Sequence, residues 1–384
     1  MPLTETQITD ALRAVMDPEI NRSIVDLGMV KAVELASEGR VQVTVALTVA
    51  GCPMKGEITT RVTDALLPVT GVERVDVELT VMSPEELNAM RQRLQAEGSP
   101  IHGGGHPHGG QQGPPIPFAQ PENRTRIIGV ASGKGGVGKS SVTVNLAVSL
   151  RKMGYEVGIL DADVYGFSVP RMLGVENEPT ILGEGEDRIL LPAQSHGVRC
   201  VSMGFFVEED QAVIWRGPML HKALRQFLTD LWWGDPDYLL IDMPFGTGDI
   251  AISMSQYLPR SELFVVTTPQ PAAQSVAQRT GALAKEVHLT VRGVIENMSW
   301  FTADDGTRYE LFGSGGGELL SASLGAPLLG RIPLVPALRE GGDNGMPITV
   351  SQPDGEAAAA FESIAKAIVA MGPARVYKRE LQIS

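Results

Sequence analysis

The run Gly133-Lys134-Gly135-Gly136-Val137-Gly138-Lys139-Ser140 limits what this chain can fold into more than any other segment. It fits the pattern G-x-x-x-x-G-K-S/T, in which glycines let backbone N–H groups turn inward around a polyphosphate. Lys139 is then placed to reach the β- and γ-phosphates, and the Ser140 hydroxyl to ligate Mg2+. The flanks fit the same picture. Arg126-Ile127-Ile128-Gly129-Val130-Ala131 is a short apolar run of strand type. Residues 140–153 read as a helix with Val144, Ala147, Val148 and Leu150 on its apolar face and Gly154 as its stop. Strand, glycine loop and helix in that order put phosphate on a helix N-terminus. The expected nucleotide contacts are Gly133, Lys134, Gly135, Gly136, Val137, Gly138, Lys139, Ser140 and Ser141.

At 384 residues the chain is long enough for two domains and a sizeable core. Its net charge of −13 argues against nucleic acid or an anionic membrane as partner, since most of the surface would be repelled. No apolar run approaches the length of a transmembrane helix, and the start MPLTETQITD lacks the basic-then-apolar pattern of a signal peptide. Two cysteines, Cys52 and Cys200, provide no disulfide framework and suit a reducing compartment. The expectation is a cytoplasmic protein.

Residues 98–121 are rich in Gly and Pro and almost free of charge, so they read as a flexible tether. His102, His106 and His108 lie in it, either as a weak metal-binding tract or as ordinary solvated linker residues. Ahead of the tether, residues 1–97 read as a small α+β domain. Ile8, Leu12, Val15 and Met16 mark a first helical stripe, 40–47 and 75–81 alternate as strands, and 55–67 and 84–96 read as helices. After it, in 122–372, strand-like runs at 126–131, 156–161, 238–242, 262–267, 291–296 and 327–331 alternate with helical stretches, among them 218–232, 272–287 and 354–371. The expected fold is α/β, a doubly wound and mostly parallel sheet with its ligand at the carboxyl ends of the strands. A short tail, 373–384, closes the chain.

Two acid-tipped strands accompany the phosphate loop. One ends in Asp161-Ala162-Asp163, where Asp163 is the better candidate to sit beside Mg2+ or orient a water, the alternative being a turn or N-cap aspartate. The other, Tyr238-Leu239-Leu240-Ile241-Asp242, has the Walker-B form, with Asp242 meeting the Mg2+ shell. Its glycine-rich continuation, Met243 to Asp249, is a candidate for movement when a γ-phosphate is lost. Together these parts support phosphoryl transfer to water, with Lys139, the loop N–H groups and Mg2+ meeting charge on the leaving phosphate.

The form GKGGVGKSS, with DADVYGFSVPRMLG and DYLLIDMPFGTGD, resembles the deviant-Walker P-loop ATPases that include ParA, MinD and the nitrogenase iron protein. VYGFSVP, PFGTGD, IENMSWF, LFGSGGGELL and PLLGRIPL resemble, within that group, the Mrp/ApbC family of iron–sulfur cluster carriers. Asp17-Pro18-Glu19-Ile20, Asp26-Leu27-Gly28 and Gly51-Cys52-Pro53-Met54 resemble the small iron–sulfur assembly domain often fused ahead of such ATPases. The resemblance implies an ATP-hydrolysing homodimer that delivers clusters to apoproteins alongside other assembly factors. It makes Lys134 the signature lysine that reaches a nucleotide held by the opposite subunit, although an ordinary solvated loop lysine reads the same way in sequence. It makes Lys134, Lys139 and Asp163 the catalytic set, Ser140, Asp163 and Asp242 the Mg2+ set, and Asn297 a reader of the adenine.

One departure bears on the cargo. Cluster-carrying members have a Cys-x-x-Cys after the E-N-M-S segment, so that two subunits supply four thiolates to a 4Fe–4S cluster. Here 299–306 reads SWFTADDG, and Asp304 and Asp305 are hard oxygen ligands, poor substitutes for thiolate. Cys200 reads as a buried structural cysteine. Cys52, in a Gly-Cys-Pro turn ahead of a helix, reads either as a reactive or cluster-ligating thiolate or as a structural residue. Besides a cluster carrier, the chain is therefore also read as an ATP-switched scaffold or regulator without its own cluster, or as a positioning ATPase of partitioning type.

Overall fold

Thr4 opens the first helix with a capping box, its hydroxyl accepting from Gln7 N–H at 3.4 Å while the Gln7 side chain accepts from Thr4 N–H at 3.1 Å. The structure, a computed structural model, describes residues 3–18, 20, 22–36, 39–48, 55–97, 115–164, 166–182, 189–206, 217–245, 248–270, 278–279, 281–282 and 284–373. The chain divides into two compact units.

The smaller unit begins with α1 (Glu5–Leu12), which buries Ile8 and Leu12. The helical stripe expected to continue through Val15 and Met16 stops at Leu12. Pro18 disfavours helical backbone at the residue before it, and Asp17 turns the chain by accepting Ile20 N–H at 2.8 Å. Met16 instead forms an antiparallel bridge with Ser23 and is 43% exposed. Strands β1 (Val30–Leu35), β2 (Arg40–Leu47) and β3 (Arg74–Val81) form a sheet with β1 antiparallel and β3 parallel to β2. Helix α2 (Lys55–Leu66) lies between β2 and β3 in sequence, and α3 (Pro84–Glu97) follows. The other expected strands and helices of this unit are present within a residue or so of their expected ends. Strand β1 escaped the sequence reading because VKAVEL lacks a clean alternation, and its side chains are half-buried or exposed.

In the larger unit, β4 (Arg126–Ser132), α4 (Lys139–Lys152), β5 (Val157–Asp161) and α5 (Val169–Leu173) come first. An antiparallel ribbon of β6 (Thr180–Leu182) and β7 (Ile189–Leu191), residues that group with the smaller unit, lies between α5 and β8 (Ala193–Ser195) in sequence. Then come β9 (Val198–Ser202), α6 (Gly217–Thr229), β10 (Tyr238–Asp242), α7 (Gly248–Tyr257), β11 (Glu262–Thr267) and β12 (Thr290–Glu296). A short ribbon of β13 (Phe301–Thr302) and β14 (Arg308–Tyr309), α8 (Gly316–Leu324), β15 (Leu328–Arg331), α9 (Pro336–Asp343), α10 (Ile348–Ser351) and α11 (Glu356–Met371) complete the described elements.

Among the described residues the main sheet has eight strands in the order β15-β12-β11-β4-β10-β5-β9-β8. Only the edge strand β8 runs antiparallel to its neighbour. The central strands β4, β10, β5 and β11 are buried along their whole length, which is why they read as continuous apolar runs rather than alternating ones. Helix α4 is buried over most of its length, and its polar side chains are satisfied internally: Asn145 Oδ1 accepts from Thr349 N–H at 3.2 Å and Ser149 Oγ donates to Asn145 O at 2.8 Å.

Three features depart from the sequence reading. Strands β8 and β9 extend the sheet beyond β5, where Arg199 inside β9 broke the apolar run and is paired with Glu156 at 3.3 Å. Helices α7, α8 and α9 also went unread, since glycines stand inside or at the start of each. Residues 115–121, expected within the tether, carry a helical turn (Pro117–Ala119) whose Phe118 is buried and whose Gln120 carbonyl accepts from Arg260 at 2.6 Å. Residues 98–114, 374–384 and half of the helix expected over 272–287 lie outside the described residues.

Candidate functional site: a phosphate loop over two acid-tipped strands

Because β4, β10 and β5 are parallel neighbours, their carboxyl ends come together. Asp242 at the tip of β10 is in register with Val130 on one side and Asp161 on the other. The chain leaves β4 at Ser132, forms the loop, and enters α4 at Lys139. Gly136 (φ 77) and Gly138 (φ 80) supply the left-handed backbone the loop needs, Gly138 as the N-cap of α4. The loop borders a cavity of about 270 Å3, with Asp163, Met172 and Phe245 among its other walls.

The helix start and the β10 tip are tied together. Lys139 Nζ lies 2.6 Å from Asp242 Oδ2, and Ser140 Oγ donates to the same oxygen at 2.6 Å. Thr143, one helical turn beyond Ser140, donates its hydroxyl to Asp242 Oδ1 at 2.7 Å. Asp242 is fully buried, and these donors compensate the cost of keeping a carboxylate away from water. The pairing of a cavity-facing hydroxyl with a carboxylate directly behind it is a hard-oxygen donor set, which fits Mg2+.

The two aspartates after β5 have different surroundings. Asp161 is fully buried; it accepts from Asp163 N–H at 3.2 Å, Ser168 N–H at 3.2 Å, Val169 N–H at 3.3 Å and Ser202 Oγ at 3.1 Å. Burial, and then the negative charge of Asp242, push its carboxyl up to about 7. Asp161 thus holds the backbone at Asp163, Ser168 and Val169 from within. Asp163 instead borders the cavity, 8% exposed, with its Oδ1 accepting from Gly166 N–H at 3.1 Å.

The other expected residues fall as follows. Gly133 is buried, Lys134 is exposed at the cavity wall, and Gly135 lies beside the Phe245 ring. Val137 packs its side chain into the core, and Ser141 borders the cavity with its hydroxyl on Met172 Sδ at 3.8 Å. Asn297 is buried behind the loop, where its Nδ2 donates to Val137 O at 2.9 Å. Cys52 lies outside the described residues, as do Gly246 and Thr247 of the segment after β10. Cys200 is fully buried in β9, and burial, with help from the charges of Asp161 and Asp242, raises its thiol well above the ordinary range. Sequence reasoning missed Thr143, whose signal was its spacing from Ser140 on one helix face. It also missed Ser202, because β9 itself was not read.

A family model described as NUBPL iron-transfer P-loop NTPase matches residues 123–369, and one for iron-sulfur cluster assembly proteins matches residues 5–79. The iron-sulfur cluster carrier protein of Mycobacterium tuberculosis is 48% identical over 364 residues, which is 93% of this chain and 91% of that relative. The protein of the same name from Synechocystis is 40% identical over 370 residues, 95% and 97% of the two chains. Among solved structures, a nucleotide-binding protein from Archaeoglobus fulgidus in complex with ADP matches at a TM-score of 0.51 and 33% identity, over 62% of this chain and 91% of that one. With the phosphate loop, its lysine and the acid-tipped strands inside the matched region, the chain belongs to the NUBPL family of iron-transfer P-loop NTPases.

Proposed function

We propose that this chain binds and hydrolyses ATP and uses that cycle to carry iron–sulfur clusters to apoproteins. The observation that carries the reading is the meeting of Lys139, Ser140 and Asp242 at the phosphate loop of an iron-transfer NTPase. Lys139 and the loop N–H groups take the phosphates, while Ser140, with Asp242 behind it and Asp163 nearby, holds Mg2+, which neutralises charge on the transferring phosphoryl group. Asp163 orients the attacking water from the cavity wall. Lys134, exposed at the mouth, completes the site of a second copy of the chain, so the working form is a homodimer. Asn297, held against the Val137 carbonyl of the loop, reads the adenine. The named function of relatives at 40–48% identity along nearly the whole chain supports the cargo, and a reducing cytoplasm is the compartment that cargo requires.

The cluster is the substrate of this cycle and needs thiolates. Cys200 is sealed in β9, which leaves Cys52, joined by the partner copy's thiol and by a client or small thiol. Anaerobic reconstitution followed by iron and sulfide analysis and activation of an apo-enzyme tests the carrier reading. Protein that takes up neither and activates nothing is not a carrier.

One observation favours a second reading, an ATP-switched scaffold without its own cluster. Residues 299–306 contain no cysteine, and the ribbon they enter is pinned by Glu356, which accepts from Trp300 Nε1 at 3.0 Å, Thr302 Oγ1 at 3.0 Å and Arg308 at 2.6 Å. In that case nucleotide-dependent partner binding persists while reconstitution yields no cluster.

A further inference from the structure

The two carboxylate oxygens of Asp242 are served by different kinds of neighbour. Oδ2 takes Lys139 Nζ and the Ser140 hydroxyl, each at 2.6 Å, and both of those residues line the cavity. Oδ1 takes the Thr143 hydroxyl at 2.7 Å, and Thr143 is fully buried, with no part in the cavity wall. The helix sets this division. Thr143 lies three residues beyond Ser140 and four beyond Lys139, so one face of α4 carries all three onto Asp242.

A hydroxyl at this depth needs an acceptor. The Lys139 carbonyl, 3.0 Å away, is the ordinary one for a threonine inside a helix, but the helix ladder already supplies that carbonyl with an N–H. Thr143 has a single hydroxyl hydrogen, and the nearer, charged oxygen of Asp242 claims it.

The three donors also differ in what a nucleotide does to them. Lys139 is drawn toward the phosphates, and Ser140 turns a lone pair to Mg2+. Both contacts on Oδ2 are therefore remade when the site fills. Thr143 has no ligand to reach, so among the described donors its bond to Oδ1 is the one that stays. With Oδ1 occupied from behind, Oδ2 is the oxygen left for the metal's shell. The neighbouring strand tip supplies no substitute donor. Asp161, in register with Asp242, is already accepting from Asp163, Ser168, Val169 and Ser202.

We propose that Thr143 is a positioning residue for Mg2+: by holding Oδ1 it fixes the plane of the Asp242 carboxylate and presents Oδ2 to the metal that accompanies the nucleotide. The inference rests on the reading of this loop as a Mg-nucleotide site and adds to it a residue that touches neither metal nor nucleotide.

The test is calorimetric titration of the full chain with the non-hydrolysable analogue AMP-PNP, in EDTA and in saturating Mg2+. The ratio of the two affinities is the enhancement due to the metal. Thr143→Val keeps the shape and removes the donor. It is expected to hold the metal-free affinity within about twofold and to cut the enhancement about five- to tenfold, the scale of one hydrogen bond lost from a buried carboxylate. Thr143→Ser keeps the hydroxyl and with it the parent's enhancement. Ser149→Ala removes a buried hydroxyl of the same helix that donates to Asn145 O, away from Asp242, and leaves the enhancement as it was. Partial unfolding lowers the stoichiometry of both titrations and is read separately from the affinities. Equal enhancement in Thr143→Val and the parent overturns the proposal. An equal loss with and without Mg2+ also overturns it, since Thr143 then only supports the loop, as does a Thr143→Ser that behaves like Thr143→Val. A parent that binds the analogue equally in both conditions overturns the Mg2+ set and this inference with it. A parent that binds in neither overturns the nucleotide site itself.

Discussion

Lys139 Nζ stands 2.6 Å from Asp242 Oδ2, so the loop's cation is held by the acid at the tip of β10. Phosphate entering the cavity competes with Asp242 for that cation, and binding at the loop is therefore coupled to the acid behind it. Both side chains are nearly sealed, 7% and 1% exposed, so breaking the pair from one side costs stability as well as function. Lys139→Ala is expected to abolish ATP binding by calorimetry. It also lowers unfolding stability by up to about 3–5 kcal/mol, less whatever Ser140 and Thr143 still supply to Asp242. The double variant Lys139→Ala/Asp242→Asn is expected to recover part of the stability in urea denaturation and none of the binding. Retained ATP affinity in Lys139→Ala would show that the loop is not the site.

Lys134 has a different environment, exposed at the cavity wall. Lys134→Ala is expected to keep the parent's ATP affinity and to lose turnover by at least about a hundredfold, the scale of a charge supplied from a partner subunit. Phosphate release measured against protein concentration checks it. A parent whose specific activity is independent of concentration, or a variant that hydrolyses as fast as the parent, removes the role across subunits.

Asp161 is expected to reveal itself through pH. Its carboxyl, ordinarily near 3.8, is raised to about 7 in the folded chain by burial and by Asp242. A raised folded value means that folding takes up a proton, so this contribution to stability is full below about 3.8 and is lost as pH climbs through about 7. Asp161→Asn is expected to flatten the fall in stability over that window in nucleotide-free urea titrations. The same variant should slow turnover, since the backbone of Asp163, with that of Ser168 and Val169, is held by this side chain. Parallel pH profiles for parent and variant would contradict the assignment.

Cys200 is expected to be inert. A fully buried thiol with its pKa raised has little thiolate at pH 8, so iodoacetamide should modify Cys200 only after denaturation. Peptide mass mapping of native and denatured protein reads this directly. Cys200→Ala should leave reconstituted iron content unchanged, whereas Cys52→Ala should lower it; iron retained in full without Cys52 would remove that residue from the cluster site.

The parts of the site that read clearly from sequence are those whose chemistry and geometry are local. The glycines of the loop, Lys139 and Ser140 sit within one turn of each other, and the strands ending in Asp161 and Asp242 announce themselves as apolar runs closed by an acid. Burial on both faces erases alternation and leaves that signature. Strand β2 reads as clearly for the opposite reason, since its buried Val41, Val43 and Val45 alternate with half-buried Gln42 and Thr44.

By itself, then, the sequence determined a phosphate loop between strand and helix, a largely parallel sheet and a second small domain, because local periodicity records which face of an element is buried. Only the tertiary structure decided what each side chain meets. Strand β10 lies between β4 and β5 although it follows β5 by some eighty residues and β4 by more than a hundred, which brings Asp242 onto Lys139, Ser140 and Thr143 and sets it beside Asp161. It also divided the two aspartates, Asp161 turned inward to hold the backbone and Asp163 left at the cavity, and it laid Asn297 against Val137. Strand order and long-range hydrogen bonds follow from how whole elements pack, and no repeat within a single element encodes the partner it will find.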